Sequence, residues 1–386
     1  MNVPISQIPA ALAALDTPCL LLDQPRLVRN IARMNARIDY LDVRLRPHVK
    51  TAKCTELARR IFGGAAGPIT VSTLREAEYF FADGFGDILY AVSMAPAKVA
   101  RAARLVRAGA RLRLIVDALD AAQAIAAQAA AEDVRFDVLI EIDADGHRAG
   151  LRPQDDNLIA LAQQLQASSH LQFGGVMTHA GSSYGCVGAP ALRAHARMER
   201  DAVVSAATRL REAGLDCATV SVGSTPSISF AEDLTGVTEA RVGVYVFNDL
   251  VQANIGVCLL DDIALSVLAT VISHKPDTGR LIIDAGGLAL SKDHGTARQA
   301  VDYGYGQVCA ADGRVLAGLR VVEVNQEHGL IAPADADDAA AMFAALPIGA
   351  RVRVLPNHAC MTAAAYEQYH LLDGDTVLQW PRCNGW

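Results

Sequence analysis

The chain lacks the features that mark secreted, membrane-spanning and nucleic-acid-binding proteins. Its eight cysteines are scattered, with no C-x-x-C pair, which argues against a disulfide framework or a structural zinc cluster. Basic residues are outnumbered: 35 Lys and Arg against 42 Asp and Glu leave a net charge of −7, and no basic stripe is present to meet nucleic acid or a membrane surface. The apolar runs are too short to span a bilayer. The first 16 residues show no cationic start followed by an apolar block, so no signal peptide is expected. Aromatic residues are few, and there is no internal repeat, low-complexity tract or long linker. The composition reads as that of a cytoplasmic protein with reduced thiols.

What is present is an alternation of two periods. The 386 residues are 52% apolar and too many for one small core, which implies two domains or a barrel with an addition. After a short apolar strand at Thr17–Asp23, helical spacing runs over Gln24–Ile38. A half-buried strand pattern around Val43 and Leu45 then leads into Arg46-Pro47-His48-Val49-Lys50-Thr51. From there strands and helices alternate: helix Glu56–Phe62, strand Ile69–Thr73, helix Leu74–Ala82, strand Asp87–Val92, helix Ala97–Ala108, strand Leu112–Asp117 and helix Ala121–Ala131. Strand Asp137–Asp143, helix Asp156–Gln166, strand Phe173–His179, helix Pro190–Ala213 and strands Ala218–Val222 and Glu239–Val246 complete the series. Eight near-continuous apolar strands between amphipathic helices predict a (β/α)8 TIM-type barrel, α/β in class, over residues 17–253. Strand-like segments at 264–273, 280–284, 319–324, 351–355 and 376–380, with one helical pattern at Asp335–Ala345, predict a β-rich domain over 254–386. Residues 1–16 are expected to pack on that domain.

The carboxyl ends of barrel strands are where such folds carry chemistry. Lys50 falls there, with His48 two residues before it. So do Ser72, Thr73, Ser93, Asp117, Asp143 with Arg148, His179 with Ser182, Ser183 and Tyr184, the Gly223-Ser224-Thr225 loop, and Arg241, Gly243 and Tyr245. A desolvated lysine can form an imine with an aldehyde, and a small-residue loop can cradle a phosphate with its N–H groups. Pyridoxal phosphate is the cofactor that needs both, together with a ring-stacking group and a partner for its pyridine nitrogen. Taken singly, each piece has a second reading: Gly223–Pro226 as a plain turn, His179 as a core histidine, Arg148 as a surface residue. Their convergence on one end of one barrel favours the site.

A second constellation, Pro356-Asn357-His358-Ala359-Cys360, follows the strand Arg351–Leu355. In extended conformation His358 and Cys360 would point the same way and could share one Zn²⁺ or similar ion. Two protein ligands leave positions open for water or substrate. The run Asn325–Gly329 offers further polar partners, or only a polar loop.

Four motifs in order resemble the D-serine dehydratase and D-threonine aldolase family: Arg46–Lys50, Glu141-Ile142-Asp143 with Gly146–Gly150, Thr178–Ser182 and Pro356–Cys360. These are pyridoxal phosphate enzymes of fold type III, similar to alanine racemase in their N-terminal barrel. The resemblance runs from about Thr17 to Trp386 and implies that Lys50 is the Schiff-base lysine, the catalytic residue. It implies cofactor contacts from Arg148 to the phenolic oxygen, from His179 beside the ring, and from Gly223, Ser224, Thr225, Gly243 and Tyr245 to the phosphate. Tyr184 is placed near the cofactor and Arg241 at the pyridine nitrogen. His358 and Cys360 would hold a divalent metal (Zn, Mn, Co or Mg). The family's dehydratases carry His-x-Cys there and its aldolases His-x-Asp, so Cys360 favours a dehydratase. The expected reaction converts a 3-hydroxy-D-amino acid, D-threo-3-hydroxyaspartate or D-serine, to a 2-oxo acid and ammonia. Aldol cleavage to glycine and an aldehyde is the alternative, and a pyridoxal phosphate homeostasis protein the alternative outside enzymology. The resemblance also implies a homodimer acting on a small D-amino acid, with no nucleic-acid or membrane partner.

Overall fold

In the computed structural model, residues 10–146 and 148–386 are described; residues 1–9 and His147, the latter part of one family motif, lie outside them. The chain forms two units, one from residues 33–243 with 383–386, the other from residues 10–32 with Val244–Arg382.

The first unit is built on eight parallel strands in the order β2-β9-β8-β7-β6-β5-β4-β3. The strand β1 (Cys19–Asp23) precedes them in the chain. They are β2 (Arg44–Leu45), β3 (Ile69–Val71), β4 (Asp87–Tyr90), β5 (Arg111–Val116), β6 (Phe136–Ile142), β7 (Leu171–Thr178), β8 (Thr219–Val222) and β9 (Glu239–Ala240). The two edges meet beyond β2, where the Val49 amide donates to the Thr70 carbonyl and the Thr70 amide to the Pro47 carbonyl, each at 2.9 Å. A parallel bridge between His48 and Thr70 completes this seam, so the sheet closes on itself as a TIM-type barrel. Helices cover the outside, as their apolar stripes require: Leu74–Ala82 buries Leu74, Ala77 and Phe80, and Gly188–Glu212 buries Leu192, Val203 and Leu210.

Two of the expected strands are shorter than their apolar pattern. The strand expected to run into Lys50 is regular only to Leu45; the Arg46 and His48 amides still donate to the Ala240 and Val242 carbonyls, and Val49 and Lys50 form a turn. The strand expected over Glu239–Val246 ends at Ala240 and continues as a 3-10 turn at Val244–Val246. There Gly243 lies so close to the seam that a Cβ would stand 2.9 Å from the His48 carbonyl oxygen.

The second unit is a nine-stranded sheet of mostly antiparallel strands: β10 (Leu265–Lys275), β11 (Arg280–Ile283), β12 (Gln307–Ala310), β13 (Val315–Val324), β14 (Gly329–Pro333), β15 (Arg351–Leu355), β16 (Gln368–Asp373) and β17 (Thr376–Pro381), with β1 as the ninth. The strand β1 pairs antiparallel with β10 and parallel with β16. Leu12, Cys19, Leu21, Leu268 and Leu372 form one core cluster of this sheet. Strands β12, β14 and β16 were not foreseen. Nor were the short helices Leu250–Asn254, Gly287–Leu290 and Ala359–Ala363, each too brief to show a period. No helix among the described residues is long and apolar enough to cross a membrane.

Candidate active site and metal pair

Within the barrel unit the expected residues converge. Lys50 is exposed in the turn that follows the seam. His179, directly after β7, donates from Nδ1 to the Gly223 carbonyl at 3.0 Å. Burial above all, together with the nearby charges of Lys50, Arg241 and Arg148, lowers the His179 pKa to about 4 despite that hydrogen bond. The ring is therefore neutral near pH 7, with the proton on Nδ1. His48 is likewise held well below its usual value by burial and by the charges of Lys50 and Arg241, and its Nε2 stands 3.5 Å from Ser72 Oγ.

The Gly223-Ser224-Thr225 segment is tighter than a plain turn. Gly223 has φ +134°, and a Cβ there would lie 2.5 Å from the Arg241 carbonyl oxygen and 2.8 Å from its amide nitrogen. Only glycine fits. Ser224 is not in a loop: it caps the six-residue helix Thr225–Phe230, with reciprocal bonds between Ser224 and Ser227. The hydroxyls of Ser183 and Ser224 lie 3.0 Å apart, which ties the 3-10 turn Gly181–Gly185 bearing the half-buried Tyr184 to this helix start. Fully buried Glu199, on the long helix Gly188–Glu212, accepts from the Ala180 amide at 3.0 Å and the Gly223 amide at 3.4 Å. Glu199 carried no sequence signal, since one acid on a long helix has no period of its own.

Arg148 is largely exposed, with Nη2 3.8 Å from Glu141 Oε1. The loop that bears it is pinned by the Gly150 amide donating to Asp117 Oδ2 at 3.0 Å. Arg241 is buried and donates from Nε to Ser221 Oγ at 2.9 Å and from Nη2 to the Thr178 carbonyl. Burial lowers its pKa while Glu239, Glu199 and Glu141 raise it. These residues fit pyridoxal phosphate: a backbone cradle that a Cβ would fill, a neutral imidazole, a lysine and arginines suit an anionic planar group.

Tyr245, His358 and Cys360 belong to the other unit. The Tyr245 phenol is buried, which raises its pKa. His358 and Cys360 are adjacent in space but not on an extended segment. His358 has extended dihedrals (φ −134°, ψ 105°) and caps the helix Ala359–Ala363, which contains Cys360. The helix forms because the Ala359 amide finds an acceptor, buried Asp249 Oδ2 at 3.0 Å. Asp293, unforeseen, accepts from His358 Nδ1 at 2.8 Å. Burial pulls the His358 pKa down, but the hydrogen bonds to Asp293 and Cys360 outweigh it and push it up to about 11. A carboxylate on Nδ1 leaves Nε2 for an ion, as in carboxylate–histidine–metal arrangements, and the Cys360 sulfur is a second soft donor. No group of three His, Cys, Asp or Glu side chains able to hold an ion occurs among the described residues. The donor set fits a divalent ion held by two protein ligands with open positions.

The alanine racemase N-terminal domain family matches residues 22–250, and the putative serine dehydratase domain family matches residues 264–372. A D-threo-3-hydroxyaspartate dehydratase of Delftia sp. (strain HT23) is 52% identical over 97% of this chain and 99% of its own length. The chain belongs to this fold type III pyridoxal phosphate family. A D-serine dehydratase of Dictyostelium discoideum is 33% identical over 94% of this chain and 95% of its own. A solved structure of a D-threo-3-hydroxyaspartate dehydratase, a cysteine-to-alanine variant in the metal-free form, superposes with a TM-score of 0.94. It is 53% identical and covers 97% of this chain and 99% of that one. Family membership identifies the protein as a lyase-type relative with the alanine racemase-like barrel expected from its motifs.

Proposed function

We propose that this protein is a pyridoxal phosphate- and metal-dependent dehydratase that converts a 3-hydroxy-D-amino acid, D-threo-3-hydroxyaspartate or D-serine, to a 2-oxo acid and ammonia. The observation that carries this reading is the His358–Cys360 pair, oriented by Asp293, in a chain 52% identical to a dehydratase of D-threo-3-hydroxyaspartate.

Lys50 would hold the cofactor through its amine and, when that amine is free, could serve as the base for the α-proton; one base on one face would select the D-isomer. His179 would stand beside the ring as a neutral imidazole. Gly223, Ser224, Thr225, Gly243 and Tyr245 hold the phosphate, with Tyr184 nearby. Arg148 meets the phenolic oxygen and Arg241 the pyridine nitrogen. Bound pyridoxal phosphate supplies an electron sink for the α-carbon. A divalent ion on His358 and Cys360 supplies a Lewis acid for the departing hydroxyl. The protein is proposed to act as a cytoplasmic homodimer on a small D-amino acid, without nucleic-acid or membrane partners.

The test is a product assay on purified protein with cofactor and Mn²⁺ or Zn²⁺, using D-serine, D-threonine and the D-threo and D-erythro 3-hydroxyaspartates. Ammonia with pyruvate or oxaloacetate supports dehydration and names the substrate. Glycine with an aldehyde makes the protein an aldolase. No spectral response of the cofactor to any D-amino acid favours a homeostasis protein.

A further inference from the structure

The barrel core holds a chain of charges that cofactor binding does not account for. On β4 to β7 the filling is ordinary: Leu89, Ile115, Leu139 and Met177 pack as one apolar cluster. Two residues earlier on β4 and β5, and so on the same strand faces as Leu89 and Ile115, stand Asp87 and Arg113. Arg113 Nη1 lies 3.2 Å from Asp87 Oδ1, and Arg46 Nη1 donates to the same oxygen at 2.8 Å. Arg46, 1% exposed, also donates from Nε to Glu239 Oε2 at 2.9 Å. Ser221 Oγ donates to Glu239 Oε1 at 2.9 Å and accepts from Arg241 Nε at 2.9 Å. The series Arg113–Asp87–Arg46–Glu239–Ser221–Arg241 thus runs without a break, from one carboxylate or guanidinium to the next and through a single hydroxyl.

Stability gives no reason for such a chain, since apolar side chains of similar volume commonly replace buried ion pairs without loss. Its direction gives one. Of its members, only Arg241 is assigned to the cofactor, and its guanidinium is held at Nε by Ser221 and at Nη2 by the Thr178 carbonyl. Three carboxylates attract Arg241: Glu239, Glu199 and Glu141, while Arg46 repels it. His48 and His179, both neutral, lie within reach of its charge. A guanidinium with three competing acids around it has more than one place to point, and the buried hydroxyl of Ser221 selects one.

We propose that Ser221 is a positioning residue, which transmits the anchoring of Glu239 and Arg46 to Arg241 and so fixes the plane and direction of the guanidinium at the cofactor's ring nitrogen. This rests on the assignment of Arg241 made under the proposed function. Loss of the hydroxyl leaves Arg241 Nε and Glu239 Oε1 each short of a partner, and the guanidinium turns toward Glu199 or Glu141.

The experiment compares wild-type holoenzyme with Ser221→Ala and Ser221→Thr. The readouts are the visible absorbance of the bound cofactor as a function of pH, and kcat and KM for the substrate that the product assay names. Ser221→Ala is expected to move the pH midpoint of the cofactor band by about one unit. It should also lower kcat about tenfold, the effect of a lost hydrogen bond to a charged group. Ser221→Thr, which keeps the hydroxyl, is expected to restore both. A folded Ser221→Ala protein with the wild-type band, midpoint and kcat overturns the inference and leaves the dehydratase reading intact. If Ser221→Ala is insoluble, Glu239→Gln takes its place: the same midpoint shift supports the chain, and a wild-type titration refutes it. Absence of any visible cofactor band in the wild-type protein overturns both readings together.

Discussion

Replacement of Gly223 by alanine gives the sharpest physical test of the phosphate cradle. At φ +134° an L-residue is strained whatever space surrounds it, at a cost of about 1–3 kcal/mol. Its Cβ would also meet backbone, the Arg241 carbonyl oxygen at 2.5 Å and amide nitrogen at 2.8 Å, and backbone cannot swing aside as a side chain can. Overpacking of that kind adds about 1–3 kcal/mol, for a total of about 2–6 kcal/mol. Gly109 supplies the control: it has φ +100° and nothing within 4 Å of a Cβ, so Gly109→Ala carries the strain without the clash. Urea denaturation followed by circular dichroism, together with cofactor titration of the apo-protein, reads both effects. Gly223→Ala should be the less stable by the clash alone and should bind pyridoxal phosphate at least tenfold more weakly, since the Arg241 backbone must move away from the loop. Gly109→Ala should bind it as wild type does. Equal stability of the two variants with undiminished cofactor affinity in Gly223→Ala would show that the cradle is not where the phosphate sits.

Lys50→Ala should abolish both the visible cofactor absorbance and turnover; retention of either in the purified variant removes the assignment. Cys360→Ala should lose bound metal, measured by atomic absorption, while keeping the cofactor, and Asp293→Asn should weaken metal binding by about 10–100-fold through the orientation of His358. Turnover by chelator-treated Cys360→Ala protein would exclude the metal role. His179 makes stability depend on pH in a stated window. Its folded pKa, about 4, lies below the ordinary 6.5 chiefly because of burial, so between these values the unfolded chain binds a proton that the folded chain does not. The contribution is present in full above 6.5 and is lost as pH falls toward 4, amounting to about 3 kcal/mol. Stability of the apo-protein measured against pH should flatten across that window in His179→Gln; an unchanged slope refutes the buried neutral imidazole.

The barrel was legible because its signals are local. Apolar strands alternating with 3.6-period helices are written in windows of a few residues, and the helix at Leu74–Ala82 lies where its pattern placed it. The residues at the barrel mouth followed, because a strand's carboxyl end can be located once the strand is. The Glu239-Ala240-Arg241 spacing also held a readable sign, since residues two apart on a strand share a face. Local pattern failed where a distant partner decides. The helix bearing Cys360 depends on Asp249, 110 residues away, and the orientation of His358 on Asp293, 65 residues away.

Residue types and their periods therefore determined the architecture, the cofactor class and the candidate lysine, histidines and arginines, because covalent neighbours suffice to set them. Register decided the rest. Whether Cys19–Asp23 joins the barrel or pairs with β10 and β16 is settled by hydrogen bonding to strands that enter the chain more than two hundred residues later. The same holds for Asp87, Arg46, Glu239 and Ser221. Each is an unremarkable polar residue in its own segment, and only closure of the sheet brings their side chains within hydrogen-bond distance of one another.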